Sequence, residues 1–336
     1  MKITRTLFLI IFTILIQNLA FAQDELLKPY VLASKGPGNL SAKTEAVKTS
    51  LIASGFVIAG TYTPYPTANI IIITNDFLKK NAADSDLGGF GAIQRVAVTK
   101  VKGDIQVSYT NPVYIANVYR MKDDLYTVAN VLEKTLGKVE EFGSRGMTAS
   151  KARKYQYMLG MEYFDEPSIL GEFSSYEDAI KAVENGLASG KEGVTKIYRV
   201  DVTGKQESVF GVAMAGKPGL TKITKEISPG HDAEFGTLMT GAPEADQYIM
   251  SVIDFGDLKA TTHLPYEILV SGKKVYALYA RFRIAISFPN LKMMGSNSFM
   301  NIMEAPEAIR KALQKTIADT NMKTIEKSNV PDAASY

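Results

Sequence analysis

The sequence predicts an α+β fold made of two tandem units, each with the order β-α-β4-α and an antiparallel sheet. Two observations support this prediction. A short turn containing glycine, Lys102–Asp104 in the first half and Ser271–Lys273 in the second, separates two strand-like segments. A proline and then an amphipathic helix follow each of these hairpins. The repeat is one of secondary-structure order and not of sequence, because the two halves share few residues.

The first unit starts with a short strand and a helix. A serine at position 41 caps the helix, Val47 and Leu51 recur at helical spacing, and Gly55 ends it. The β-branched run that follows is typical of a strand covered by other structure. The predicted elements are the strand Tyr30–Ala33, the helix Ser41–Gly55, the strands Phe56–Tyr62, Asn69–Thr74, Ile93–Val101 and Ile105–Tyr109, and the helix Asp123–Leu136.

The second unit repeats this order from residue 169. A capping box of Ser174 and Glu177 predicts the start of its first helix. An insertion, Lys217–Ala245, lies between two of its strands, and long insertions are frequent carriers of function. The predicted elements are the strands Ile169–Phe173, Val194–Val202, Ser208–Met214, Tyr248–Phe255, Tyr266–Val270 and Val275–Ser287, and the helix Pro306–Ala318.

The first 22 residues predict export to the periplasm or the exterior. Lys2 and Arg5 form a short cationic start, Leu7–Ile16 is apolar apart from one threonine, and Ala20–Ala22 suits cleavage after Ala22. The apolar run of about ten residues is shorter than a bilayer span requires. The predicted organisation is a signal peptide 1–22, a first domain 23–140, an ordered aromatic connector 141–168, a second domain 169–322 and a flexible tail 323–336.

Composition excludes several classes of function. The chain has no cysteine, which excludes disulfides, thiol nucleophiles, covalent c-type haem and cysteine-bound iron-sulfur clusters. Lys2 and Arg5 are the only charges before Ala22, so 36 of the 38 basic residues and all 35 acidic residues remain after cleavage. Nucleic-acid binding is not predicted from this balance, and no later apolar run has the length of a membrane span.

A family resemblance agrees with the element order. The segment Ala42–Gly60, with a helix that ends in Ala53–Phe56 and leads into a strand, is followed by apolar strands, a hairpin and a closing helix. Each half in this way resembles the uncharacterised bacterial family called domain of unknown function 302. The resemblance implies a β-α-β4-α arrangement similar to the TATA-binding-protein-like fold. It implies no activity, and it carries over no catalytic residues.

The connector between the units is the segment richest in aromatic residues. Three tyrosines, one phenylalanine and two methionines occur within Tyr155–Phe164, whereas a flexible linker is rich in glycine, serine and proline. One interpretation is that these side chains pack the units into a single body. The other is a groove for a small apolar ligand or a partner peptide. The residues expected to line that groove are Arg145, Tyr155, Tyr157, Met161, Tyr163 and Phe164.

Metal binding is a weaker hypothesis, and no cofactor is predicted. Met300 and Met303 carry thioethers that suit Cu(I), but their spacing beside Phe299 and Ile302 favours packing in the core. The two histidines, His231 and His263, are far apart in sequence, without the spacing of a zinc site. They remain candidate ligands only if the fold brings them together.

Enzymatic motifs are mostly missing. Gly88–Gly91 lacks the lysine and serine or threonine of a phosphate-binding loop and is expected to be a simple loop. The acidic pairs Asp123–Asp124 and Asp165–Glu166 are explained by a helix start and a turn. The first functional hypothesis is therefore a non-catalytic exported binding or accessory protein. The alternatives are an envelope structural or assembly factor, and then a hydrolase-type enzyme or a copper carrier. Oligomeric state is not predicted.

Overall fold

The protein is a mixed α+β structure with two antiparallel sheets. The computed structural model describes residues 25–216 and 242–318. The predicted signal peptide, the predicted tail and most of the predicted insertion lie outside these residues. In the described part of the chain, no helix is both long enough and apolar enough to pass through a bilayer.

The first sheet has six strands in the order β2-β3-β4-β5-β1-β6, all antiparallel to their neighbours. Its sixth strand comes from the connector and pairs with β1 at the sheet edge. The elements are β1 Tyr30–Pro37, α1 Leu40–Ala53, β2 Val57–Tyr65, β3 Ala68–Thr74, α2 Asp76–Ala83, a 3₁₀ turn Gly88–Gly91, β4 Gln94–Val101, β5 Asp104–Thr110, α3 Pro112–Val118, α4 Tyr126–Leu136 and β6 Glu140–Phe142.

The second sheet has five strands in the order β7-β11-β10-β9-β8, again antiparallel throughout. A short connector helix, α5, precedes it. The elements are α5 Ala149–Arg153, β7 Ser168–Glu172, α6 Tyr176–Ser189, β8 Val194–Asp201, β9 Glu207–Met214, α7 Asp246–Ile253, a 3₁₀ turn Thr261–His263, β10 Tyr266–Ser271, β11 Lys274–Ala277, α8 Ala280–Ser287, a 3₁₀ turn Phe299–Ile302 and α9 Ala305–Ile317.

The two units have the same topology, which confirms the predicted repeat. The order β2-β3-β4-β5-β1 of the first sheet corresponds to β8-β9-β10-β11-β7 of the second. In both units a helix and a 3₁₀ turn lie between the third and fourth strands, and two helices follow the hairpin. The predicted glycine turns are present, with positive φ at Gly103 and Gly272.

Two predicted strands of the second unit are helices. The segment predicted as the strand Tyr248–Phe255 lies mostly in α7, whose residues Ile249, Met250 and Ile253 are buried at helical spacing. The predicted strand Val275–Ser287 ends at Ala277, and α8 follows it. All residues of α8 except Arg281 are buried, so its sequence shows no apolar stripe that would distinguish a helix from a buried strand.

Smaller differences concern helix ends and short helices. Ser175, and not Ser174, caps α6 by accepting a hydrogen bond from the Asp178 amide at 3.1 Å. Gly88–Gly91 is a buried 3₁₀ turn where a loop was expected. Two unpredicted helices, α2 and α3, have asparagine caps, because the side-chain oxygens of Asn75 and Asn111 accept from backbone amides. Asparagine followed by a helix-forming run was therefore an available signal.

The units pack through topologically equivalent parts. The edge strand β2 lies against β8, where an added Cβ on Gly60 would be 2.9 Å from the Ile197 carbonyl oxygen. The 3₁₀ turn of each unit contacts the sheet of the other. The Gly89 amide donates to Glu207 at 3.0 Å, and the Thr261 hydroxyl lies 3.0 Å from that of Thr99. A single hydrophobic core consequently runs through both units.

Candidate functional site

The connector packs between the units through Phe164. This side chain is 3 % exposed, and its ring stacks on that of Tyr119 with centroids 5.1 Å apart. Phe90 of the first unit and Phe282 of α8 each lie 6.4 Å from it, centroid to centroid. Phe164 therefore fills space between the units and is buried away from any ligand.

Tyr155 and Tyr157 attach the connector to the second unit. The Tyr155 ring lies edge-on to Phe282 at 6.3 Å, and its hydroxyl donates to the Ala285 carbonyl at 3.2 Å. Burial raises the pKa of Tyr155 to about 12, so its hydroxyl keeps its proton at neutral pH. The Tyr157 hydroxyl contacts the sulfur of Met293. Both hydroxyls thus have partners within the protein.

A cleft open to solvent lies on the other face of the connector, and we call it the connector cleft. It has a volume of about 560 Å³. Its lining contains three cationic groups, one aromatic ring and no carboxylate. The lining residues are Arg120, Ser150, Arg153, Lys154 and Tyr163.

Hydrogen bonds hold two of the three cations in place. Both terminal nitrogens of Arg153 donate to the Met121 carbonyl at 3.1 Å. Arg120 donates from Nε to the Arg153 carbonyl at 2.9 Å and pairs with Asp165 at 2.6 Å. Its guanidinium also lies 5.6 Å from the centroid of the Tyr163 ring. Lys154, by contrast, makes no ion pair within the described residues.

A second cavity of about 400 Å³ lies on the opposite side of Tyr163. Its charges are acidic, because Glu162 and Glu166 both line it. Glu162 is engaged by a two-point ion pair with Arg281, and this pairing raises the pKa of Arg281. Glu166 accepts a hydrogen bond from the Tyr163 amide at 2.9 Å. The remaining lining residues are Gln156, Gly160, Met161, Tyr163, Pro167 and Tyr279.

The six residues predicted for the groove therefore divide into three groups. Met161 and Tyr163 line cavities, with Tyr163 in both. Tyr155, Tyr157 and Phe164 pack against other parts of the protein. The side chain of Arg145 is exposed and lines neither cavity.

The cationic residues of the cleft were missed from sequence. Arg153 and Lys154 lie at the end of α5, in a short basic run that begins at Lys151. Arg120 lies in the link after α3, with a φ of +49°, and α3 packs against α5. The basic run was visible in the sequence, whereas the approach of Arg120 depends on tertiary packing.

A second cluster of charges is buried between the units. Glu267 of β10 forms an ion pair with Arg95 of β4, and its other oxygen lies 3.6 Å from Nε of Arg283. Burial lowers the pKa of Arg95 to about 10. Arg283 also donates to the His263 carbonyl at 2.7 Å. Neither of the two cavities reaches this cluster, which joins the units.

Histidines and carboxylates form no metal site within the described residues. His263 is buried, with Nε2 3.1 Å from the Tyr266 hydroxyl, and burial with two nearby arginines lowers its pKa well below the usual value. His231 lies outside the described residues. Within residues 25–216 and 242–318, no three histidines or carboxylates are grouped to hold a metal ion. Met300 and Met303 were expected in the core, and this is wrong: they are 48 % and 56 % exposed, and Ile302 takes the buried position.

The connector cleft is thus an accessible candidate binding site. It combines fixed cations, a free ammonium group and an aromatic face. No family model, curated protein or solved structure matches the chain. Its function must accordingly be inferred from the geometry and charge of the site.

Proposed function

We propose that the protein is an exported, non-catalytic binding protein whose connector cleft binds an acidic segment of a partner polypeptide. The observation that supports this proposal most directly is the lining of the cleft by Arg120, Arg153 and Lys154 without a carboxylate. Arg120 is paired with Asp165, whereas Arg153 and Lys154 make no ion pair among the described residues, so the opening attracts carboxylates and disfavours basic partners.

The form of the cleft favours a peptide over an enclosed small molecule. Small-molecule sites are usually concave, mostly apolar and able to bury most of the ligand. The connector cleft is open to solvent, and three of its five lining residues are charged. Tyr163 offers a ring face beside Arg120, which suits an apolar or aromatic side chain next to an acidic one. The expected ligand is therefore more acidic than the apolar ligand suggested by sequence.

The geometry of the cations reduces the entropic cost of binding. Arg120 is already held by its hydrogen bond to the Arg153 carbonyl oxygen, and Arg153 by its hydrogen bonds to the Met121 carbonyl oxygen. Only Lys154 must become ordered when a partner carboxylate arrives. Pre-organised cations lose less conformational freedom per contact than flexible ones.

The N-terminal sequence supports the export that this proposal includes. The cationic start, the short apolar run and the small residues before position 23 have the three-part pattern of a cleaved signal. A partner in the periplasm or outside the cell follows from that pattern. The resemblance to domain of unknown function 302 adds no activity to it.

A structural or assembly role is a second candidate, favoured by the packing of the connector. Phe164 and Tyr155 fill the space between the units with the protein's own side chains. A protein of this kind would need no ligand in the cleft. Binding measurements separate the two candidates.

The test is a binding titration with two matched peptides. A fluorescently labelled peptide with one tyrosine and four glutamates is compared with its glutamine analogue by fluorescence anisotropy. We expect binding of the acidic peptide alone, weakened by added salt because exposed charges are screened. Lys154→Gln should weaken binding about threefold, the worth of one exposed ion pair. Lys151→Gln, on the same helix but outside the cleft, is the matched control.

Two outcomes contradict the proposal. Equal binding of both peptides would show that the cleft does not select carboxylates. Equal effects of Lys154→Gln and Lys151→Gln would place the binding elsewhere on the surface. If neither peptide binds, the structural role becomes the better description.

A further inference from the structure

A group of exposed methionines lies apart from the connector cleft. Met293, Met300 and Met303 are 43 %, 48 % and 56 % exposed. Methionine is normally among the more buried residues, and Met121, Met214 and Met250 of the same chain are at most 1 % exposed. Met294 in the same segment is 75 % exposed, so four exposed thioethers lie close together in sequence and core packing does not explain them.

The backbone brings these three residues together. The Met300 amide donates to the Met293 carbonyl at 3.1 Å, so the two residues are neighbours across a turn. Met300 and Met303 are three positions apart on the 3₁₀ turn and its C-cap, where side chains at this spacing lie one above the other. The flexible side chains of methionine allow the three sulfurs to converge without movement of the backbone.

The turn itself is fixed by polar contacts. Ser298 and Asn301 form a capping box, with the Asn301 side-chain oxygen 3.0 Å from the Ser298 amide. The Tyr248 hydroxyl donates to the Asn301 carbonyl at 2.9 Å, and Ile302 is buried beneath the turn. The methionine positions are thus held by groups that are not themselves candidate ligands. Such a supporting arrangement is what a binding site needs.

A contact to the connector adds a second, independent feature. The Tyr157 hydroxyl points at the Met293 sulfur, and the Tyr157 ring lies 6.1 Å from that of Phe299. This contact shows that the Met293 sulfur is presented to a polar group at the surface and is not withdrawn into the core.

We propose that Met293, Met300 and Met303 form a thioether site for the soft monovalent cation Cu(I). Neutral sulfur ligands select Cu(I) and bind hard cations such as Mg²⁺ or Ca²⁺ poorly. The site would hold the ion as Cu(I) throughout, and no change of oxidation state is involved. An extracytoplasmic location, proposed above, is compatible with this cargo but is not needed for the argument.

The experiment uses Ag(I), which has the same charge and ligand preference and does not oxidise in air. The full chain, labelled with ¹³C at the methionine methyl groups, is titrated with Ag(I) and followed by nuclear magnetic resonance and native mass spectrometry. We expect one bound silver ion and shifts of the Met293, Met300 and Met303 methyl signals. The signals of buried Met121 and Met250 should stay in place.

Variants make the assignment specific. The double variant Met293→Leu with Met300→Leu keeps apolar side chains of similar size and removes two sulfurs, so the affinity for Ag(I) should fall by at least about tenfold. Met147→Leu, in the bridge that pairs with Leu27, is the control and should bind as the wild type does. Thermal unfolding should be nearly unchanged in the double variant, whose positions are exposed, and in Met147→Leu, because leucine and methionine have similar volumes.

The proposal is overturned by any of three results. The first would be that the wild-type protein binds no silver in competition with a weak chelator. The second would be that the double variant binds silver as tightly as the wild type. The third would be that the shifted methyl signals belong to other methionines. The first result would leave the exposed methionines as a surface for protein contacts.

Discussion

The two units share a topology but differ in the length and chemistry of equivalent parts. The hairpin β4-β5 has strands of eight and seven residues, whereas those of β10-β11 have six and four. The segment between the third and fourth strands is much longer in the second unit, where it contains residues 217–241. The same strand order therefore tolerates a large change in the length of a connection.

The contacts between the units are equivalent in position and different in residue type. The 3₁₀ turn of the first unit holds Glu207 through the Gly89 amide. The turn of the second unit uses hydroxyl groups, Thr261 with Thr99 and Tyr65. The helices that follow the hairpins also meet, where the Tyr114 hydroxyl donates to the Ile286 carbonyl at 2.7 Å. An approximate two-fold arrangement thus does not require matching side chains.

The largest expected effect comes from breaking the charge cluster between the units. Glu267→Gln removes the carboxylate that neutralises two buried guanidinium groups, so we expect a loss of about 3–5 kcal/mol in the free energy of unfolding. Urea denaturation followed by circular dichroism measures this loss. Glu307→Gln, which breaks the exposed pair with Arg310, is the control and should cost at most about 1 kcal/mol.

A small effect of Glu267→Gln would mean that the interface does not depend on this charge. A separate unfolding of the two units in the variant would instead show that Glu267 couples them. In the wild type we expect one transition, because a common core connects both sheets.

The second prediction concerns pH and the contact between β2 and α7. The Asp246 carboxyl accepts hydrogen bonds from the Tyr62 hydroxyl at 2.5 Å and the Met214 amide at 2.9 Å. Burial raises its pKa to about 7, compared with about 4 in an unfolded chain. The folded protein therefore holds a proton that the unfolded chain releases between these values. The contribution of Asp246 to the free energy of unfolding is fully present below about pH 4 and is lost as the pH rises to 7.

Asp246→Asn removes this dependence. Relative to the wild type, the free energy of unfolding of the variant should increase by about 3.5 kcal/mol between pH 4 and pH 8, measured by urea titrations across that range. Asp257→Asn is the control, because Lys102 lowers the pKa of exposed Asp257 and the change should have the opposite sign. If the difference in the free energy of unfolding between Asp246→Asn and the wild type stays constant from pH 4 to pH 8, the Asp246 carboxyl is not protonated in the folded wild-type protein.

The smallest expected effect tests the close approach of β2 and β8. An added Cβ at Gly60 would be 2.9 Å from both the Ile197 oxygen and the Tyr198 Cβ, so Gly60→Ala should cost about 1–2 kcal/mol. The measurement is again urea denaturation. Gly36→Ala is the matched control, because its Cβ would meet nothing within 4 Å and the change should be neutral within about 0.5 kcal/mol. Equal losses of unfolding free energy in Gly60→Ala and Gly36→Ala would mean that β2 and β8 can separate at little cost.

The errors made from sequence have different physical causes. The residues of α8 were predicted as a strand, because an apolar segment that is buried on several sides loses the periodicity that distinguishes helix from strand. The residues of α7 were also predicted as a strand, although their buried apolar side chains recur at helical spacing. Met300 was predicted in the core, whereas the 3₁₀ turn rotates it outward and leaves Ile302 inside. The aromatic connector was recognised, but its packing and its cleft are formed by different residues.

The local sequence by itself determined the repeated order of strands, the two hairpin turns and most strand bounds, because turn geometry and apolar alternation depend on neighbouring residues. Tertiary structure decided everything that joins distant residues. The approach of Arg120 to Arg153, the pairing of Arg95 with Glu267 and the grouping of the exposed methionines depend on how the two sheets pack. Packing of this kind is a property of the whole core and cannot be read from one segment.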